Sequence, residues 1–152
     1  MRNRTRFTST VFAGTLAGLL LLAGCSPKVG AALTADELSA ALPTGTPYAV
    51  VHLYRPDKLA RFAIGYDVRV NDTVAYRARN GSRFDLRRSK PGTITLSAKT
   101  EAREEINLTV EPGREYYIRC TIGMGALVGR PHFAQVGTAQ GSKEMASIAP
   151  PK

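Results

Sequence analysis

Apolar and polar residues alternate along most of the chain beyond residue 48. The alternating runs are 49–54, 67–71, 83–87, 93–99, 106–111 and 116–122, with a weaker run at 132–136. A period of two puts every second side chain on the same face of an extended strand, so these runs predict strands with one buried face. About seven such strands predict an all-β fold, an antiparallel β-sandwich of the prealbumin or immunoglobulin type.

Turn-forming pairs separate the alternating runs. They are Asn71-Asp72, Asn80-Gly81, Pro91-Gly92 and Pro112-Gly113. Asn-Gly is the preferred sequence of a type I′ hairpin turn, in which both central residues have positive φ. We therefore expect a hairpin at Asn80-Gly81, within a sandwich domain that covers residues 48–137.

The N-terminal segment has a different pattern. Arg2, Arg4 and Arg6 precede a nearly continuous apolar run at 11–22. A basic start followed by a short apolar run is typical of a secretory signal peptide, and a membrane-spanning helix needs about 20 apolar residues. We therefore expect residues 1–24 to be a signal peptide.

A cysteine follows this segment directly. Leu22, Ala23, Gly24 and Cys25 resemble the lipobox of bacterial lipoproteins, which are cleaved before the cysteine. The resemblance implies a diacylglycerol thioether and an N-acyl chain on Cys25, and several chains make attachment to a membrane durable. No other cofactor is expected. Ser26, which is not Asp, favours the periplasmic face of the outer membrane.

The segments that flank the sandwich are simpler. Residues 25–47 read as a lipidated tether with one short helix at 35–42, because Thr34 and Glu37 form a capping-box pattern at its start. Residues 138–152 are rich in Gly, Ser, Ala and Pro. We expect this tail to be flexible and poorly ordered.

Basic residues outnumber acidic ones, and the formal net charge is +9. A hairpin at Asn80-Gly81 would bring Arg77, Arg79, Arg83 and Arg87 together. Four guanidinium groups on one face repel each other unless an anion lies among them, so these arginines are a candidate anion-binding patch. The alternative is an ordinary solvated face that protects the edge of a sheet.

The sequence offers little for catalysis. His52 and His132 lie on different predicted strands, and neither has the spacing of a metal site or a hydrolase triad. We interpret both as strand-surface histidines and expect no enzyme activity and no metal.

Two further features have alternatives. Cys120 is left without a partner if Cys25 carries lipid, and its position in an alternating run predicts a core cysteine rather than a reactive thiol. The loop at 123–129 is apolar for a connection. It either folds back as a plug of the core, the simpler interpretation, or is exposed and contacts lipid or a partner.

Several segments of the predicted sandwich resemble a family of bacterial lipoproteins that carry domain of unknown function 2846. The segments, in the order of that family, are 51–56, 66–72, 80–84, 91–95, 97–101 and 112–118. The resemblance implies a small β-sandwich of the prealbumin or carrier type in the cell envelope. It brings no catalytic residue.

The sequence thus predicts a membrane-anchored envelope lipoprotein with a non-catalytic interaction domain. Its partners would be the membrane, through the anchor, and a protein of the envelope. The alternative is an anionic lipid or glycan bound by the basic hairpin at 77–90. Nucleic acid is disfavoured as a partner, since export removes the protein from the cytosol.

Overall fold

The computed structural model describes residues 39–59 and 62–150, so the predicted signal peptide and lipobox lie outside the described residues. The described part contains nine strands and one helix. They are β1 (Ser39–Ala41), β2 (Ala49–Arg55), β3 (Tyr66–Val70), β4 (Thr73–Ala78), β5 (Ser82–Arg88), β6 (Gly92–Lys99), β7 (Arg103–Val110), β8 (Arg114–Gly123), β9 (Arg130–Val136) and α1 (Thr138–Ala146).

The strands form two sheets. Sheet I has the order β1-β8-β2-β5, and sheet II has the order β4-β3-β6-β7. Strand β9 also belongs to sheet I: β1 pairs with the beginning of β8 and β9 with the rest of it, so they share one edge of that strand. The predicted all-β sandwich is confirmed.

One pair of strands is parallel. In the centre of sheet I, β2 and β8 run in the same direction, with Val51 opposite Tyr116 and Leu53 opposite Ile118. This pair is the exception in the predicted antiparallel sandwich, and it arises because most of the domain is inserted between these two strands. Both strands end at the same end of sheet I, which brings the loops that follow them together.

The core lies between the sheets and is built from the predicted alternation. Its fully buried side chains include Val51, Leu53, Ile118 and Cys120 from sheet I and Val68, Ile94, Leu96 and Val110 from sheet II. Burial of each large aliphatic side chain contributes about 1.5–3 kcal/mol, which makes this layer the main source of stability.

The type I′ geometry occurs at a different turn from the one predicted. Asn71 and Asp72 have φ of 46° and 65°, the two positive values that such a turn requires, and they join β3 to β4. At Asn80-Gly81 only the glycine has positive φ. This turn leads from β4 in sheet II to β5 in sheet I, so the hairpin predicted there is wrong.

The crossing between the sheets has a physical cause. Tyr76 on β4 and Phe84 on β5 both point into the core, where their rings stack with centroids 5.8 Å apart. The Tyr76 hydroxyl also hydrogen bonds to the Ser82 hydroxyl at 2.5 Å. Strands β4 and β5 would show the same alternation whether they paired side by side in one sheet or faced each other across the core. The pattern alone therefore does not distinguish the two arrangements.

The helix predicted at 35–42 is wrong over its described part. Ser39–Ala41 forms β1 and pairs with the beginning of β8, and the Leu42 N–H donates to the Gly113 carbonyl at 2.8 Å. The free edge of β8 offers a row of backbone groups, and pairing with them satisfies this short segment better than an isolated turn of helix.

The flexible tail predicted at 138–152 is wrong over 138–146. There α1 packs on the outer face of sheet I and buries Gly141 and Met145, with Ile148 just beyond its end. These three positions have helical spacing. A Cβ atom on Gly141 would lie 2.3 Å from Cγ of Tyr117, so glycine permits the helix to approach the sheet this closely.

Candidate functional site

The loop between β8 and β9 is organised around one carboxylate. Glu101, in the turn between β6 and β7, accepts hydrogen bonds from the backbone N–H groups of Ala126 at 2.8 Å and Gly129 at 3.1 Å, and also from Leu127 and Val128. These bonds, that of Val128 foremost, lower the pKa of Glu101 from 4.5 to about 2. The loop is therefore fixed to the neighbouring turn.

Two further contacts keep the loop compact. The Thr100 hydroxyl donates to the Gly129 carbonyl at 2.5 Å. A Cβ atom on Gly125 would lie 2.3 Å from Oε2 of Glu101 and 2.5 Å from Cα of Gly129. Only glycine fits at this position without moving the carboxylate or the backbone.

The loop nevertheless presents its apolar side chains to solvent. Met124 is 81% exposed, Leu127 is 92% exposed and Val128 is 46% exposed. The interpretation of this segment as a plug of the core is therefore wrong, and the exposed alternative is the one observed. A fixed loop with large exposed apolar side chains is typical of a contact surface.

The loop after β2 adds to the same end of the molecule. Leu59 is 94% exposed and Phe62 is 65% exposed. Since β2 and β8 are adjacent and parallel, the loops that follow them meet at one end of sheet I. We call this set of exposed residues the apolar tip: Leu59, Phe62, Met124, Leu127 and Val128.

Cations surround the apolar tip. Lys58 precedes Leu59, and the other three lie at strand ends or turns next to the tip loops. We call them the cationic collar: Lys58, Arg79, Lys99 and Arg130. All four are exposed, and none forms an ion pair within the part of the chain that the structure describes.

A cleft lies beside the collar. It has a volume of about 330 Å³, and its lining contains no carboxylate. The basic cleft is lined by Arg55, Pro56, Lys58, Asn80, Arg119, Thr121, Ile122 and His132. Arg55 is only 4% exposed and donates to the Ala78 carbonyl at 3.2 Å. Acidic groups lie just outside, since Glu144 pairs with Arg119 and Glu104 with His132.

The four arginines of the predicted anion-binding patch do not come together. Arg77 lies in sheet II and pairs with Asp67 at 2.9 Å. Arg83 and Arg87 lie on β5 in sheet I, and the Arg87 guanidinium stands over the Tyr48 ring at 5.3 Å. The separation follows from the crossing at Asn80-Gly81.

Arg77 and Arg79 remain near the apolar tip. They line a second cavity of about 590 Å³ together with Asp57, Phe62, Ala63, Gly65 and Asn80. Of the four arginines predicted to form one patch, this cavity brings only Arg77 and Arg79 together.

Neighbouring side chains engage both ring nitrogens of His52. Its Nδ1 lies 2.7 Å from Asp85 and its Nε2 lies 3.2 Å from Glu115, while its ring stacks on Tyr117 with centroids 4.6 Å apart. Both ring nitrogens are thus engaged, and neither is open to a substrate. The position on the face of a strand agrees with the sequence interpretation.

The Cys120 thiol is also unsuited to act as a nucleophile. The side chain is fully buried, and burial raises the pKa of its thiol to about 12. A thiol that stays protonated is a poor nucleophile, so the prediction of a core cysteine is confirmed. Within residues 39–59 and 62–150, no group of three His, Cys, Asp or Glu residues could hold a metal ion.

Comparisons of the chain with protein-family models, curated proteins and solved structures found no match. The resemblance to the lipoprotein family therefore stays a prediction. No helix among the described residues is long and apolar enough to cross a membrane.

Proposed function

We propose that this chain is a membrane-anchored lipoprotein of the cell envelope, whose β-sandwich is a non-catalytic interaction domain. Lipid on Cys25 holds the chain at the membrane, and Ser26 favours the periplasmic face of the outer membrane. The domain then binds a second component of the envelope through the apolar tip.

The observation that carries this proposal is the fixed and exposed loop between β8 and β9. A flexible loop with apolar residues could fold them back onto the domain. Here Glu101 binds four successive backbone N–H groups, so Leu127 is held outward at 92% exposure. Large apolar side chains held in water are typical of a surface that another molecule covers.

The surroundings of the histidines support a non-catalytic role. Asp85 and Glu115 occupy both nitrogens of His52, and Glu104 lies 3.3 Å from Nδ1 of His132. Neither imidazole has a nucleophilic hydroxyl or thiol as its hydrogen-bond partner within the described residues. General-base catalysis needs such a partner or a substrate at an open nitrogen.

The anchor is tested by mass spectrometry of the mature N-terminal peptide. We expect a peptide that begins at Cys25 and carries a diacylglyceryl group and an N-acyl chain. Cys25→Ala should leave the signal peptide uncleaved, whereas the control Ser26→Ala should be processed normally. A mature chain that begins elsewhere, or has an unmodified Cys25, would overturn this part of the proposal.

The interaction domain is tested by photocrosslinking in intact cells. A benzoylphenylalanine at position 127 lies in the apolar tip. The same group at position 74 is a matched control, because Val74 is also exposed, at 49%, but is the second residue of β4, at the end of that strand away from Arg79. We expect an adduct with one envelope component, either protein or lipid, from position 127 and none from position 74. No adduct, or equal adducts from both, would contradict the proposal.

A second candidate function is recognition of an anionic lipid or glycan. The basic cleft favours it, because Arg55, Lys58 and Arg119 line one cavity without a carboxylate among the lining residues. This site replaces the hairpin at 77–90. Lys58→Gln should weaken salt-sensitive binding of anionic lipid or glycan, whereas Arg87→Gln, which is outside the cleft, should not.

A further inference from the structure

We infer that the apolar tip and the cationic collar form a membrane-docking face, and that its partner is the anionic phospholipid surface of the membrane that holds the anchor. This inference rests on the proposed function, because it takes the anchor at Cys25 as given. It adds the identity of the second component and the orientation of the domain.

The chemistry of the face matches a bilayer surface. Five exposed apolar side chains occupy the loops at one end of sheet I, and four cations without ion pairs surround them. Interfacial binding of proteins combines insertion of apolar side chains with attraction of nearby cations to anionic headgroups. Lys58 directly precedes Leu59, and Arg130 follows Val128 by two residues, so each loop carries both an apolar side chain and a cation.

Four backbone N–H groups of the tip already have a hydrogen-bond acceptor, which suits them to an apolar environment. An unpaired N–H group is costly in hydrocarbon because no water is available to bind it. The N–H groups of Ala126, Leu127, Val128 and Gly129 are already bound by Glu101. The loop can therefore enter the headgroup region without losing hydrogen bonds. A flat protein partner would not require this arrangement, since its own polar groups could bind the loop.

Few negative charges oppose docking. The Glu101 carboxylate faces the loop backbone, and Glu104 lies against His132. Asp57, in the loop after β2, hydrogen bonds to the Asn80 side chain. Collar cations outnumber these carboxylates, so the end as a whole favours an anionic surface.

The tether permits this orientation. Strand β1 runs antiparallel to β8, with Ser39 opposite Tyr116 and Ala41 opposite Arg114, so the chain enters β1 from the side of the tip. Ser39 follows Cys25 by fourteen positions in the numbering, and an extended chain of fourteen steps spans at most about 46–50 Å. Strand β8 ends seven residues beyond Tyr116, a rise of about 23 Å. A chain of this length is therefore long enough for a lipid on Cys25 and the tip to contact the same membrane.

The test uses the lipidated mature protein in vesicles and an environment-sensitive fluorophore. Leu127→Cys can be labelled selectively, because Cys25 carries lipid and Cys120 is fully buried. Val74→Cys is the matched control. In vesicles with phosphatidylglycerol we expect a blue-shifted emission and quenching by spin-labelled lipid at position 127 only. Neutral phosphatidylcholine vesicles should reduce both effects.

A collar variant measures the electrostatic part. Replacing Arg79 and Arg130 with Gln should lower the ratio of docked to undocked tips by about fivefold for each cation removed. Raising the salt concentration should also lower the ratio of docked to undocked tips. The control Arg87→Gln, on β5 outside the collar, should leave the ratio unchanged.

The outcomes separate this inference from the proposed function. If the protein does not float with the vesicles, the anchor and the proposed function fail. If it floats but the label at position 127 stays in water, the membrane-docking face fails while the anchor stands. A crosslink in cells from position 127 to one discrete protein, and not to lipid, would also overturn the inference and leave the interaction domain in place.

Discussion

Two apolar surfaces of this domain differ in whether the chain covers them. On the outer face of sheet I, α1 covers a cluster that consists of Tyr54, Tyr117, Val136, Met145 and Ile148, all of them buried. At the end of the same sheet, the apolar tip is exposed, although Glu101 fixes its main loop firmly. The chain contains its own cover for the first surface and none, within the described residues, for the second.

The polar groups around each surface differ in the same way. Beside α1, Glu144 accepts hydrogen bonds from Tyr54 at 2.8 Å, Arg119 at 3.0 Å and Gln140 at 2.8 Å. Around the tip, the cations of the collar have no ion-pair partners in the described chain. The charges beside α1 are thus satisfied within the domain, whereas the collar cations are not paired by any described residue of the chain. Substitutions should therefore affect stability at the first surface and binding at the second.

Met145→Ala should have the largest effect on stability. The side chain is 7% exposed and joins α1 to the cluster on sheet I. Loss of its transfer free energy, together with the cavity left behind, should lower the free energy of unfolding by about 2–5 kcal/mol. Urea denaturation measures it. Lys143→Ala, an exposed position of the same helix, should change it by less than about 0.5 kcal/mol, and an equal loss in both would contradict the role of the cluster.

Gly141→Ala should have the next largest effect. Alanine is favoured over glycine in a helix by about 1 kcal/mol. Its Cβ would lie 2.3–2.5 Å from Cγ, Cδ1 and Cβ of Tyr117, whose side chain is buried and cannot move freely. Overpacking of this kind costs about 1–3 kcal/mol. Net destabilisation is expected in thermal unfolding, and a variant more stable than the wild type would show that α1 does not pack this closely.

The first surface also shows what the sequence did not reveal. Alternation identified β2 to β9 well, except β4, because each of those strands carries its own pattern of two. The helix α1 has only one large apolar residue, Met145, with Ile148 just beyond its end, and its third contact is Gly141, so its helical period is hardly visible. In the sequence, Gly141 contributed to the prediction of a flexible tail, whereas in the structure it permits close packing against Tyr117.

Strand pairing was the second thing the sequence did not determine. Asn80-Gly81 has the sequence of a hairpin turn, yet β4 and β5 belong to different sheets because Tyr76 and Phe84 stack across the core. Pairing depends on residues distant in the chain, which a local pattern does not report. The predicted site was affected in the same way, because Arg77 and Arg79 line one cavity whereas Arg83 and Arg87 lie on β5 in the other sheet. Glu101, the residue that organises the tip, has no local signal.

Tyr54→Phe should have a smaller effect than either helix substitution. It removes one hydroxyl that donates to Glu144 and leaves the ring in place. Although burial alone would raise the pKa of Glu144, the bonds from Gln140, Tyr54 and Arg119 lower it. The free energy of unfolding should fall by about 1 kcal/mol, because Glu144 keeps two of its three donors. Tyr48→Phe is a control with no such bond, and an equal loss there would contradict the assignment.

Glu101→Gln should loosen the tip with little effect on global unfolding. The folded-state pKa is lowered from 4.5 to about 2, so the contribution of the carboxylate is complete above pH 4.5 and is lost as the pH falls through about 2. Hydrogen exchange over 124–129 should be slow in the wild type from neutral pH down to about pH 4, once corrected for the intrinsic rate. In the variant it should be faster throughout. Unchanged protection would mean that Glu101 does not hold the loop.

Leu127→Gln should have the smallest effect on stability. Its side chain is 92% exposed, so the free energy of unfolding should change by less than about 0.5 kcal/mol. Val74→Gln, at 49% exposure, should behave alike in urea denaturation. The two variants should differ only in docking of the lipidated protein, measured as quenching of a label at position 124 by spin-labelled lipid, where Leu127→Gln loses the quenching and Val74→Gln keeps it. A marked loss of stability in Leu127→Gln would mean that the tip packs within the domain, as the outer face of sheet I does beneath α1, and the distinction between the two surfaces would no longer hold.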